Sequence, residues 1–596
     1  MLGERSDQKG LWEADHLYLD LVGRDTFYGL LASLRGRLFR DADFAELYCL
    51  DNGRASVPPS LLATALLLQA HDKVSDAEAK ARADFDLRWK VALGIEIEDR
   101  PFAKSTFQVF RAQLILHGKV REVFEQSLRL ARETGYLKRG GGMRVALDTT
   151  YILGRGAVKD TYNLLADGIV KLMRALASVE AVPLQEWAEA CGYDRYIGSS
   201  VKGEAAIDWS DRRARQKLLG EIVADADRLL ELARLGQAGL PADSVERQAI
   251  VDAAELLGQL LLQDVKRDGD GNGDADGEVS LKDGVSKDRM VSVHDPEMRH
   301  GHKSKRRRFD GHKAAVVVDT DTQLITAVDV LAGNAWDSVG ALELVEQSEA
   351  SAGVPVVEAM GDTAYGDGGT RQEFADAGRR LVARLPGRSR RPYFAKEDFS
   401  IDLAADTCTC PAGNVVVGSR TWGTRTDHAG RKYHLKGFWF AAAVCADCPL
   451  RSQCIPGTSG AGRTVQLHPQ EGLFQEARAL QKSPAFAQYS QLRVVVEHRL
   501  ARLVQLGIRQ ARYFGRVKTK CQLYLAATVA NLTLLANQTD VVSDPGDAPD
   551  SIVTTAPIGD GNGVDHHLLP TWMLAWLRAP TLALSLFPTR GFRPAF

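Results

Sequence analysis

Residues 143–152 read Met-Arg-Val-Ala-Leu-Asp-Thr-Thr-Tyr-Ile, and residues 354–362 read Val-Pro-Val-Val-Glu-Ala-Met-Gly-Asp. Each is a short apolar run closed by one acid. Val145, Ala146 and Leu147 form a buried-type strand that Asp148 ends, and the second run ends in Asp362. Between them, residues 313–330 (KAAVVVDTDTQLITAVDV) make two apolar strands around the turn Asp319-Thr320-Asp321-Thr322. A helix follows over about 338–351, and a short helix and the strand RLVARL (380–385) come after Asp362. Strand, helical insert, hairpin, helix, strand, helix, strand is an α/β order.

Outward from that core the chain divides by composition. Residues 1–140 read as a helical, DNA-binding candidate domain. In it, Ser75 and Glu78 mark a helix start after a long apolar helix, a pair compatible with a helix-turn-helix or with any small bundle. Residues 141–156 carry the first core strand, 157–298 a helical insert and flexible linker, and 299–399 the core with Asp362. Residues 400–470 form a Cys-containing insert, 471–538 core helices, helical throughout from 484, and 539–596 a linker and tail rich in Asp, Gly, Pro and Ser. Residues 266–279 resemble a calcium loop at Asp268, Asp270, Asn272 and Gly273. Val279 stands where the twelfth-position Glu belongs, so the stretch reads as solvated linker.

The 596 residues allow about four units at ~150 residues each. Apolar residues at 45% and charged residues at 26% exclude a disordered or collagen-like chain. Net charge is −2, so affinity for polyanions must come from local patches. The charged start MLGERSDQKG lacks a signal-peptide core, and the apolar stretch 568–587 is broken by Pro570, Arg578 and Pro580. The expectation is a cytoplasmic protein with no membrane partner.

Asp148 and Asp362 share one context, the carboxyl end of a buried strand, where ligands gather in α/β sheets. If the strands are neighbours, the two carboxylates converge. Their repulsion then favours a bound cation, and hard oxygen ligands select Mg²⁺ or Mn²⁺. The bland alternative is that each acid only caps the next turn. A third carboxylate is offered by Glu497, at the edge of the stripe Leu492, Val495, Val496, Leu500 and Leu503. Its bland alternative is an i,i+4 pair with Arg493.

Cations are concentrated in three runs of seven Lys or Arg each: 299–313 with one Asp, 379–396 with no acid, and 499–520 with no acid. Such runs suit a phosphate backbone. Lys303, Lys305, Arg306, Arg307, Arg308, Lys313, Arg388, Arg390, Arg391, Arg512 and Lys518 are the expected contacts, with Tyr393, Phe394, Tyr513 and Phe514 able to stack on bases. Asp337, His302 and Lys313 are candidate supports or DNA contacts. Eight Cys include five between 408 and 454: Cys408, Cys410, Cys445, Cys448 and Cys454. In a reducing compartment this spacing suggests a structural Zn²⁺ more than disulfides, with five candidates for four positions.

Several of these pieces resemble the DDE-type bacterial insertion-sequence transposases, most closely the branch called the IS-eleven-eighty-two group. They are the helical segment around 57–112, ALDTTYILGRGAVKDTYNLLADGI, SVHDPEMRHGHKSKRRRFDGHKAAVVVDTDTQLITAVDVLAGNAWD, GDTAYGD, CPLRSQC and RVVVEHRLARL. Their order extends over about residues 10–538. The resemblance implies an α/β RNase H-like core with an N-terminal helical domain, a helical insert and the Cys-containing insert. It implies Asp148, Asp362 and Glu497 as the catalytic carboxylates and ligands of two divalent ions. It implies cleavage at element ends and strand transfer into target DNA, with a homodimer in the DNA complex. A family pattern of Tyr, Arg, Glu and Lys on the last helix maps to Tyr489, Arg493 and Glu497, with Tyr489 one residue further from Arg493 than the pattern has it. The Lys position is Val504, for which Arg502 or Lys518 could substitute. Alternatives are a non-catalytic DNA-binding descendant, a purely hydrolytic metal-dependent nuclease, and an α/β protein whose acids and cations merely pair. No GxxxxGK[ST] loop is present.

Overall fold

Strand β1 (Met143–Leu153) is the axis of the fold. Strand β2 (Arg299–His302) turns back into β3 (Arg308–Asp319), which runs antiparallel to β1 from Val145 to Leu153. Strand β4 (Ile325–Ala332) pairs antiparallel with the other edge of β3. On the far side of β1 lie β5 (Val356–Gly361), parallel to it, and β6 (Arg380–Ala383), parallel to β5. The mixed sheet therefore runs β4–β3–β1–β5–β6, with β2 extending the edge beside β4. The chain is described, in this computed structural model, over residues 1–538 except 6–11, 50–52, 138–139, 269–277, 305, 386, 388–392, 427–431 and 457–459. Lys305, Arg388, Arg390, Arg391, most of the calcium-like loop and the 539–596 tail lie outside the described residues.

The expectation that Asp148 ends its strand is corrected. β1 continues five residues further, because β3 supplies a full-length antiparallel partner. What ends at Asp148 is the parallel pairing: β5 accompanies β1 only as far as Ala146 opposite Met360. The other core elements fall where the sequence places them, including the helices Ala341–Ala352 and Gly368–Asp376.

The N-terminal region is helical, with Ser75 accepting the Glu78 amide as N-cap of Asp76–Phe85. It shares one hydrophobic core with the sheet and the last helix, Arg516–Gln538, where Phe124 meets Tyr524 at 5.5 Å between ring centres. The helical insert, built on Thr161–Val179, Arg212–Ala238 and Val245–Asp264, has a separate core. The Cys-containing insert has a third, small one around Phe399, Cys408 and Phe438.

Residues 484–538 are not helical throughout, as the sequence suggested. Helix Ala485–Leu503 runs through one wide turn to Gly507, whose φ of 93° breaks it. A left-handed conformation here suits glycine, because a side chain would crowd its own backbone. The chain then returns along β1: the Leu153 amide donates to Arg509 O at 2.9 Å and the Ala511 amide to Leu153 O at 2.8 Å. Among the described residues, no helix is long and apolar enough to cross a membrane.

Candidate active site

The parallel register that stops at Ala146 and Met360 brings Asp148, within β1, close to Asp362, just past the end of β5. Asp362 caps a single turn of 3₁₀ helix, accepting the Ala364 amide at 2.8 Å. So the bland role is real, but it occupies only one oxygen. That turn folds tightly back over Gly361, where a Cβ would lie 2.6 Å from the Tyr365 side chain. Asp148 is largely buried and accepts its neighbour's amide, Thr149 N, at 2.7 Å. Burial first, and then the negative charge of Asp362, push the Asp148 carboxyl up to about 6, against the pull of the Thr149 amide, Lys303 and Arg493. The hydroxyl of buried Tyr365 is held far above its ordinary range, by burial and by the charges of Asp148, Asp337 and Asp362. Three acids thus surround one tyrosine.

Helix Ala485–Leu503 packs on β1, β3 and β5 and brings Arg493 into this site. Arg493 Nη1 is 3.6 Å from Asp148 Oδ2, and Nη2 donates to Glu497 Oε1 at 2.5 Å. Glu497 itself is half-exposed, so the helix pair foreseen as the bland reading is present, with its arginine shared by Asp148. Of the apolar stripe, Val496, Leu500 and Leu503 are buried. A cleft of about 320 Å³ opens between the strand ends and this helix, lined by Asp362, Thr363, Arg384, Tyr489, Ser490 and Arg493. Arg384 was not singled out by the sequence. Its signal was its place at the end of β6, opposite Asp362.

The remaining expected contacts separate into free and engaged groups. Lys303, Arg306, Arg307, Arg308 and Lys518 are exposed. Arg307 reaches back to the Tyr151 hydroxyl at 2.6 Å. Arg509, also not singled out, lies over the Tyr151 ring at 3.8 Å and donates to Thr150 Oγ1 and Tyr151 O. Lys313 is nearly buried against Asp337 at 2.7 Å, and Arg512 pairs with Asp76 at 3.3 Å. Tyr489 stands beside Glu358, under Arg380. Tyr513 lies beneath Arg111 at 5.2 Å, and Phe514 beneath Arg155.

In the insert, Cys410, Cys445, Cys448 and Cys454 line one small cavity. Cys408 is fully buried in the neighbouring core, and burial pushes its thiol up to about 11. All five thiols are free. Among the described residues, no three His, Cys, Asp or Glu side chains are gathered closely enough to hold a metal ion as they stand.

Two family models match the chain. One, described as a transposase DDE domain, covers residues 409–536, which include Glu497 but neither aspartate. The other, described as a transposase domain (DUF772), covers residues 18–113 in the helical region. No curated protein and no solved structure matches.

Proposed function

We propose, from the premise that these two matches indicate a DDE-type insertion-sequence transposase, that the chain cleaves DNA at element ends and joins those ends to target DNA. The observation that carries the reading is the Asp148–Asp362 pair: burial, with the nearby charge of Asp362 adding to it, raises Asp148 to about 6. Crowded hard oxygen donors of this kind fit Mg²⁺ or Mn²⁺. The strand order, three antiparallel strands followed by two parallel ones, supports an RNase H-like core.

In this reading Asp148 and Asp362 would hold two divalent ions, with Glu497, now paired with Arg493, as the third carboxylate of the set. Bound there, such ions would supply Lewis-acid activation of a water or 3′-hydroxyl and charge stabilisation of the leaving 3′-oxygen. The chain's own residues do the rest. Arg493 and Arg384 line the cleft beside Asp362 and offset phosphate charge, while Tyr489 and Ser490 border the path of the strand. Lys303 brings a further positive charge to Asp148. Both steps are in-line displacements at phosphorus, so positioning and charge neutralisation carry the catalysis. Lys303, Arg306, Arg307, Arg308 and Lys518 are the exposed backbone contacts, and two copies of the chain act together on paired ends. The four thiols that share a cavity would close on a structural Zn²⁺. That reading rests on their soft-donor chemistry and their common cavity.

The test is strand cleavage on DNA carrying the element's ends, in Mg²⁺ or EDTA, comparing wild type with Asp362→Ala and Asp148→Ala. Metal-dependent cleavage, lost in both variants while DNA binding persists, is expected. Full cleavage by either variant removes that residue from the site.

A further inference from the structure

Strands Arg420–Thr426 and Lys432–Trp439 form an antiparallel ribbon in the Cys-containing insert, outside all three basic runs. Thr421 pairs with Lys436, Thr424 with His434 and Thr426 with Lys432. Directly paired residues share a face, so these six side chains lie together. A bulge at Gly423 makes this possible, since the extra residue moves the outward positions from Thr421 to Thr424 and Thr426. All six are exposed.

The opposite face mixes aromatic and aliphatic side chains with the exposed Arg420 and Arg425. Trp422 pairs with Leu435 and meets Trp439 at 4.3 Å, and Tyr433 lies near His468. The first face thus presents two lysines, a histidine and three threonine hydroxyls to solvent. Among the described residues, none of those three basic groups has a carboxylate partner within ion-pair distance. Asp406 feels the charge of Lys436 but is held by the Ser419 amide and hydroxyl.

We propose that this face docks on the phosphate backbone of duplex DNA. Alternate strand positions repeat about every 7 Å, so Lys432 and Lys436 lie in one row with the His434 imidazole between them. Lysine and threonine donors are the usual phosphate contacts, and a two-stranded ribbon has the cross-section that a major groove admits. Among the described residues this exposed sheet face carries cations and no carboxylate, a charge pattern complementary to a polyanion. The inference rests on the DNA reading above and adds a surface to it.

The experiment uses the full chain and a labelled duplex of arbitrary sequence, with affinity measured by fluorescence anisotropy between 50 and 200 mM KCl (roughly the range over which phosphate contacts dominate). Lys432→Ala with Lys436→Ala should lower the slope of log affinity against log salt by about two. Lys432→Arg with Lys436→Arg should restore it. Thr421→Ala with Thr424→Ala should weaken binding while leaving the slope intact, because hydroxyls and not charges are lost. A slope unchanged in the double Ala variant, with thermal unfolding like wild type, overturns the docking face. If wild type still cleaves DNA, the catalytic reading survives that result. No DNA binding by wild type overturns both readings, and capture of phosphatidylserine vesicles with an unchanged DNA slope assigns the face to another partner.

Discussion

Arg493 stands 3.6 Å from Asp148 while its other nitrogen holds Glu497, so one guanidinium bridges an acid of the central strand and an acid of helix Ala485–Leu503. A monovalent cation thus sits between two carboxylates proposed to share divalent ions. Removing it should uncover the acids. Arg493→Gln is expected to bind Mn²⁺ about tenfold more tightly than wild type, a change of ~1.4 kcal/mol, while losing DNA cleavage. Titration followed by Mn²⁺ paramagnetic resonance reads this directly. Unchanged or weaker binding would show that Arg493 supports the carboxylates instead of competing for them.

Asp148 sets a pH dependence of stability. Its folded value of about 6 lies above its ordinary 3.8, so the ionised group burdens the fold at neutral pH. That burden is full above pH 6 and lifts as pH falls toward 3.8. Asp148→Asn should therefore unfold at higher temperature than wild type at pH 7.5 in EDTA, by at most about 3 kcal/mol of stability. The gap should close by pH 4. Added Mg²⁺ should raise the wild-type midpoint and leave the variant unmoved. A variant less stable than wild type at pH 7.5 would mean that the carboxylate is already well compensated.

The two aspartates were legible because each closes a buried apolar run, a pattern local to a few residues. The extent of β1 was not, since its full-length partner lies across the helical insert. Nor was the break at Gly507, where an unremarkable Leu-Gly-Ile sequence turns because the following residues pair with Leu153. Charge was the least legible feature. Lys313 reads as a DNA contact but is consumed by Asp337, and Arg499 is buried with its guanidinium on Ala530 O. The ribbon's cations escaped notice because they are spread over paired strands and make no dense run.

The insert should depend on four of its five thiols. Cys445→Ser with Cys448→Ser is expected to lower zinc in purified protein from about one ion per chain to near none, with a fall in solubility. Cys408→Ala should keep the zinc and lose stability by about 1–2 kcal/mol, because it removes a buried group from the small core. Elemental analysis settles the first outcome and denaturant melts the second. Wild type without zinc would leave the cavity as a thiol-lined void.

Asp72 should prove the most costly acid to remove in the helical region. One oxygen accepts from the Tyr28 hydroxyl and His71, the other from Arg82 and the Trp89 indole, each at 2.6–2.8 Å. Burial alone would raise this carboxyl, but these donors hold it far below the ordinary carboxylate range. Its stabilisation is present above pH 3.8 and is lost on acidification below that. Asp72→Ala strands the fully buried Trp89 nitrogen and an arginine, so about 3–5 kcal/mol should be lost. Asp72→Asn keeps the neutral hydrogen bonds and should cost less. Urea midpoints give the ranking, and equal costs for Ala and Asn would show that charge, not hydrogen bonding, is what these helices share.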